Sequence, residues 1–340
     1  MNKADSRGLT CLMALLMISH ICVSLPQLLV AGFEFGVYIP VIITGIGAAG
    51  FFAFINRFYA GDCLNGFSGL PKGISAAISI FLYFVFVLYC SSVMKEFSEA
   101  IGECILPRSP KIFILVVLAG IALGVCFTRI EILARYSLAL IIVTVVFVSI
   151  IFAVTLSDCE PGNLFPVVGK TDGSGWGICL SLYADAGFFY TLKLCDKQSL
   201  HVPVRATFLA TAVLASVMFF YSLCVPFPAS AFYEYPLHRL SLLAHSSLIF
   251  QRLDGLVYII WIFIAFVTTG AITIFATQIL SGGLNLKSST AIAPATVFLC
   301  LMVSLADWNM AELSRWAMCI FTFVLTPVIL ISSGRRKTVD

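Results

Sequence analysis

Charge is what this sequence has least of. Only 11% of its 340 residues are Asp, Glu, Lys or Arg, against 60% hydrophobic, whereas soluble domains carry about 25% charge. That scarcity excludes an ordinary water-soluble domain. A formal net charge of +3, with no basic stripe and no interleaved aromatics, excludes a nucleic-acid surface. Enzyme motifs are missing too. There is no G-x-S-x-G and no H-E-x-x-H, and in "GNLFPVVGKT" the spacing from Gly162 to Gly169 is wrong for a P-loop. The four His are scattered, so neither a metal cluster nor a cofactor is expected. The twelve Cys contain no C-x-x-C, and most, Cys22 and Cys90 among them, lie in apolar runs as small hydrophobes. Cys104 and Cys159 both fall in outward loops of the topology below, which leaves a bridge between them open.

What the sequence has in plenty is long apolar runs. Cut at its charged residues, it leaves ten stretches, at about 9–31, 36–56, 73–94, 112–128, 136–157, 176–192, 206–229, 255–280, 288–306 and 316–333. Each approaches the roughly 17–25 residues of a membrane-spanning helix. The first follows Lys3 and Arg7 as a signal peptide would, but it is long enough to span and has no A-x-A site, so it reads as the first of the series. The shortest, 112–128, carries Gly120 and Gly124 at the small-x-x-x-small spacing of close helix approach; two unrelated glycines are the equal alternative. The expected fold is all-α and integral to the membrane, with about ten transmembrane helices.

Lys and Arg concentrate in alternate loops, among them Lys3, Arg7, Arg57, Lys72, Arg129, Arg135 and Arg335 to Lys337, and this side is expected to be cytoplasmic. Acidic residues gather in the other loops, including Glu34, Glu96, Glu99, Glu103, Glu160 and Glu312. Both termini are then cytoplasmic, and Glu160 to Asp172 lies outside. In the outward segment near 230–252, Leu237, Leu240, Leu243 and Leu248 recur at helical spacing. They predict an amphipathic helix on the membrane surface or tucked into the mouth of the protein.

Two spans look interrupted. The first reads "ISHICVSLPQLLVAG". Pro26 lacks a backbone donor and clashes with the turn before it, and Ser19, His20 and Ser24 supply polar atoms beside the break. The sixth contains Asp185-Ala186-Gly187. A carboxylate at such depth costs about 2.5–3.5 kcal/mol on insertion scales. Divided five and five, as 9–157 and 176–333, the chain places these interruptions in the first helix of each half. Paired interruptions are the best sequence pointer to a binding site in inverted-repeat transporters. Ser19, Cys22, Ser24, Leu25, Pro26, Asp185, Ala186 and Gly187 are therefore the candidate ligand-binding residues. Thr268 and Thr269 of the eighth span are further candidates to face the same cavity, although back-bonding to its own helix is the usual fate of a threonine. Tyr83 and Tyr89 are candidates for its wall, although buried tyrosines with satisfied hydroxyls are commoner. No Lys or Arg lies at the middle of a span, so the expected partners of Asp185 are helix-end amides and Ser24. The remaining negative potential then favours a ligand with an ammonium group.

"YEYPLHRLSLLAHSSLIFQRLDGLVYIIWIFIAF" (233–266), with Tyr235-Pro236, Arg252-Leu253-Asp254 and Trp261, closely resembles a signature of the endospore germination permease family, the B subunits of spore germinant receptors. "CFTRIEILARYSLAL", the later "EPGNLFPVVG" and the first-span "SLPQLL" are similar to other parts of that family. The resemblance implies the leucine-transporter-like five-plus-five inverted repeat of the amino acid–polyamine–organocation transporters. It implies a non-enzymatic receptor for amino acids or other small germinants in the inner spore membrane, with A and C subunits as partners and membrane lipid around it. A stand-alone secondary transporter for amino acids or amines is the alternative. Ser19 and Ile21 stand where relatives tend to carry glycine, and Phe189 stands where they often carry an acid, so the ligand class is not set by the resemblance.

Overall fold

A computed structural model describes residues 6–23, 25–58, 72–166, 169, 173–191, 201–243, 253–286, 288–306 and 310–330. Ser24, Lys193, His245, Leu248, Asp172 and Lys337 lie outside the described residues. All regular structure among the described residues is helical: α1 (Ser6–Ile18), α2 (Leu25–Phe33), α3 (Tyr38–Phe58), α4 (Lys72–Cys104), α5 (Lys111–Cys126), α6 (Ile130–Thr155), α7 (Gly173–Ser181), α8 (Val202–Cys224), α9 (Pro236–Leu243), α10 (Leu253–Gly283), α11 (Ala293–Leu305) and α12 (Met310–Ile320). A lipid interior forces this outcome, because backbone groups there have no water to pair with and helices satisfy them internally.

Helix occupies every one of the ten apolar stretches. Among the described residues six helices are long and apolar enough to cross a membrane: α3, α4, α6, α8, α10 and the last span, Ala311–Leu330, which α12 opens; α1 with α2 passes as a seventh when the bent pair is taken as one span. α5 and α11, with 16 and 13 residues, are shorter. The outward-facing sides of the long helices carry large apolar residues, among them Ile46 and Phe54 on α3, Phe81 and Phe84 on α4, and Ile142 and Val146 on α6. Surfaces of this size and polarity belong in lipid, and the protein is a multi-pass integral membrane protein.

α10 lies at the centre, against α4, α5, α6 and α11. α3 packs on α8 and α7, α1 on α6 and α8, α4 on α11 and α12, and α5 on α11. The chain segments that the charge bias assigns to the outside meet at one end. Gln27 donates to the Ala231 carbonyl at 3.2 Å, Asn163 to the Leu223 carbonyl at 2.9 Å, and Arg315 pairs with Glu96 at 3.6 Å. Glu234 lies beside Glu103 and Glu99 at this end; partial burial, and then the Glu103 charge, push its carboxyl above the ordinary range.

Gly120 and Gly124 touch nothing that an added methyl would meet, so α5 makes no close helix approach through them. Cys104 and Cys159 are both free. Cys159 instead has its sulfur 3.1 Å from that of Cys224, at the end of α8. The predicted amphipathic helix is α9, with Leu237 and Leu240 buried. It is tucked in: Leu237 joins Cys22 and Trp261 in lining an apolar cavity of about 20 Å³, room for about one water.

Candidate functional site

The first span breaks where the sequence places its polar atoms. α1 ends at Ile18, a tight 3-10 turn carries it on over Ser19–Cys22, Val23 is extended, and α2 leaves at 69° to Ser6–Cys22. Pro26 stands in the first turn of α2, where a missing N–H costs nothing. The proline therefore starts the outer half. The break itself follows Cys22, where Val23 is extended.

The sixth stretch breaks differently. α7 stops at Ser181, and the chain continues as a 3-10 segment over Ala184–Thr191, every residue of it buried. A π-helical turn, Phe321–Leu325, lies against this segment. There Thr322 donates its hydroxyl hydrogen to the Ala184 carbonyl at 2.6 Å, satisfying an acceptor that an α-helix would have used. A Cβ at Gly187 would fall on the Thr322 side chain. There is thus no open space beside Gly187, and the glycine is needed for close packing.

Asp185 is 1% exposed and bridges the two breaks. Its Oδ1 accepts the Tyr89 hydroxyl hydrogen at 2.6 Å, and its Oδ2 lies 3.2 Å from His20 Nε2. His20 Nε2 is also 3.1 Å from the Tyr89 oxygen. Tyr89 has one hydrogen and commits it to Asp185. With the carboxylate ionised, both atoms facing Nε2 are then acceptors, and Nε2 carries the ring hydrogen. Where helix-end amides were expected, a histidine and a tyrosine from other spans face Asp185; Ser24, the other expected partner, lies outside the described residues. A buried carboxylate needs hydrogen-bonded compensation of this sort.

The remaining candidates divide. Ser19 spends its hydroxyl on the Leu16 carbonyl at 2.6 Å, and Thr269 on the Ala265 carbonyl at 2.7 Å. Cys22 faces the apolar cavity, while Leu25, Pro26 and Ala186 are buried packing. Thr268 is different. Its hydroxyl is buried without a hydrogen-bond partner among the described residues. At four and seven residues from Ile264 and Trp261 it shares their face of α10, and α10 packs against both broken segments. Tyr83 is satisfied elsewhere, 3.1 Å from the Thr296 hydroxyl.

Above the acid opens a vestibule of about 410 Å³, lined by Leu28, Glu96, Glu99, Ser181, Glu312, Arg315 and others. It lies at the end where the acidic loops gather. Glu96 is seven residues beyond Tyr89 on α4, which is two helical turns or about 10 Å along one face. Ser181 ends α7, four residues before Asp185, and Arg315 and Cys319 descend α12 beside them. Three elements thus run from the vestibule to the buried cluster. Among the described residues no group of three His, Cys, Asp or Glu gathers to hold a metal ion.

Glu96, Arg315 and Thr322 carry no signal in the sequence that ties them to the breaks. His20, Tyr89 and Asp185 each stand out as polar residues in apolar spans, but nothing in the linear order pairs them.

No curated protein matches the chain. The family profile described as spore germination protein (Spore_permease) matches residues 7–313, which takes in His20, Tyr89, Asp185 and the acidic wall of the vestibule. The chain therefore belongs to the spore germination permease family.

Proposed function

We propose that this protein is the membrane subunit of a spore germinant receptor and binds a small amine-bearing nutrient between its two broken helices. The observation that carries the reading is the meeting of both breaks at one buried carboxylate beneath an acidic vestibule. Negative side chains at a mouth concentrate cations from solution, and Asp185 offers the charged acceptor for an ammonium group. Thr268 supplies an unused hydroxyl on the same side. Asp185 is buried, so the state described is closed over the site. A ligand that favours an open or a rearranged bundle would shift that balance and so signal to partner subunits. The A and C subunits of the receptor are the proposed partners, and the inner spore membrane is the proposed location, with both termini cytoplasmic.

The proposed architecture is ten spans in two repeats of five, 9–157 and 176–333. Packing supports it. If α1–α2 corresponds to α7 with Ala184–Thr191, then α3 corresponds to α8, α4 to α10, α5 to α11 and α6 to the last span. Under that exchange α3 with α8, α4 with α10 and α5 with α11 map onto themselves. The pair α5–α10 maps onto α11–α4, and α6–α10 onto the last span with α4.

Spores carrying this chain as their sole B subunit test the function. They are expected to germinate with primary amines or amino acids and to ignore alcohols of the same shape. The subunit alone in liposomes is expected to show no saturable uptake. Uptake without partner subunits would favour a stand-alone transporter instead.

A further inference from the structure

We infer that His20 makes ligand binding proton-linked: an ammonium ligand at Asp185 and a second proton on the His20 ring compete for the same carboxylate. The inference rests on the amine reading above and deepens it. Nε2 carries a hydrogen in either charge state, because both of its neighbours, Asp185 Oδ2 and the Tyr89 oxygen, are acceptors. The titrating proton is therefore the one on Nδ1. With that proton present, His20 is a cation 3.2 Å from Asp185 and already neutralises it. An ammonium group then meets a pair of zero net charge. With the proton gone, His20 still donates through Nε2, and Asp185 keeps its full charge for the ligand. Burial makes the difference large, since charges interact more strongly away from water.

The other charged or titratable groups around the pair do not offer the same exchange. On α9, which packs against the Ser19–Cys22 turn, His238 Nδ1 faces the Tyr258 hydroxyl at 3.4 Å and Arg239 stacks over the Tyr233 ring at 4.4 Å. Tyr89 on α4 is committed as a donor to Asp185. Glu96 on α4 acts on His20 from a distance and is paired with Arg315 of α12. Cys319 of α12 and Cys22 beside His20 are buried thiols. Imidazole is the side chain that ordinarily changes charge between about pH 5 and 8, whereas an alkylammonium stays charged throughout that range. Affinity should thus rise with pH, and each ligand bound at the acid end should release a proton.

The test uses the full-length chain in lipid nanodiscs, titrated calorimetrically with propylammonium, and with propanol as the uncharged control. Titrations at several pH values between about 5 and 8, in two buffers of different ionisation enthalpy, count the protons released. The expected result is affinity that rises up to tenfold per pH unit at the acid end, with up to one proton released. His20→Gln should bind with flat pH dependence and no proton release, while Glu96→Gln lowers affinity at every pH and keeps the slope. If His20→Gln does not accumulate, His20→Asn takes its place. Wild-type binding that is weakened by Asp185→Asn but flat with pH overturns the proton linkage and leaves the amine site standing. A slope that survives in His20→Gln also overturns it. Propylammonium binding unaffected by Asp185→Asn, or no binding at any pH, overturns the amine site itself and this inference with it.

Discussion

The two helix breaks arise in different ways. In the first span the interruption is local: a 3-10 turn over Ser19–Cys22, a bend of 69°, and Pro26 at the start of the outer half. In the sixth, no proline occurs between Gly173 and Thr191. The 3-10 segment there is held from outside itself, by Thr322 on the Ala184 carbonyl and by His20 and Tyr89 on Asp185. At the first break the proline fits the start of the outer helix without setting the turn before it, whereas the second break is fixed by tertiary contacts. The first should therefore tolerate loss of its signal residue, while the second should fail when its neighbours change.

Gly187→Leu should give the largest effect. The side chain has no room against Thr322, and overpacking of a closed core costs about 1–3 kcal/mol or more. Protein abundance in membranes, measured by immunoblot, is expected to fall steeply. Normal abundance with a lost response would instead mean an open cavity beside Gly187. Tyr89→Phe comes next. It strips a hydrogen bond from a buried carboxylate, and bonds to charged groups are worth about 1.5–3 kcal/mol. A thermal-shift assay should register the loss, and an unchanged melting temperature would remove Tyr89 from the cluster.

Pro26→Ala should be mild, under about 1 kcal/mol, because a first-turn proline frees no backbone partner. A collapse equal to that of Gly187→Leu would erase the contrast between the breaks. The smallest effect belongs to Glu234→Gln. The folded protein raises this carboxyl's pKa, through partial burial and then Glu103. Its contribution to stability is therefore full below the ordinary carboxylate range and is lost as pH rises through the raised value. The glutamine variant should melt slightly higher than wild type at pH 7 and no higher at pH 4.

Much of this arrangement was legible in the sequence because lipid imposes simple rules. Apolar length marks the helices, and charge in the loops sorts the outward segments that do gather at one end. Pro26 and the Asp185-Ala186-Gly187 stretch mark the interrupted spans. What was not legible is which groups meet. His20 and Asp185 are 165 positions apart, and a histidine beside a proline gives no hint of its partner. Thr322, which packs against Gly187, is indistinguishable in the sequence from the other threonines of these spans. Periodicity reports which face of a helix is apolar but carries no information on the register between helices.

That Asp185 joins the two breaks into a ligand site is tested most directly by the concentration–response of germination in Asp185→Asn spores at matched receptor level. Asparagine keeps the shape and removes the charge that an ammonium would meet. Loss of a charge-assisted hydrogen bond of about 1.5–3 kcal/mol corresponds to a rise of roughly ten- to a hundredfold in the half-maximal concentration. Superimposable curves for Asp185→Asn and wild type would contradict the account and leave Asp185 a structural acid.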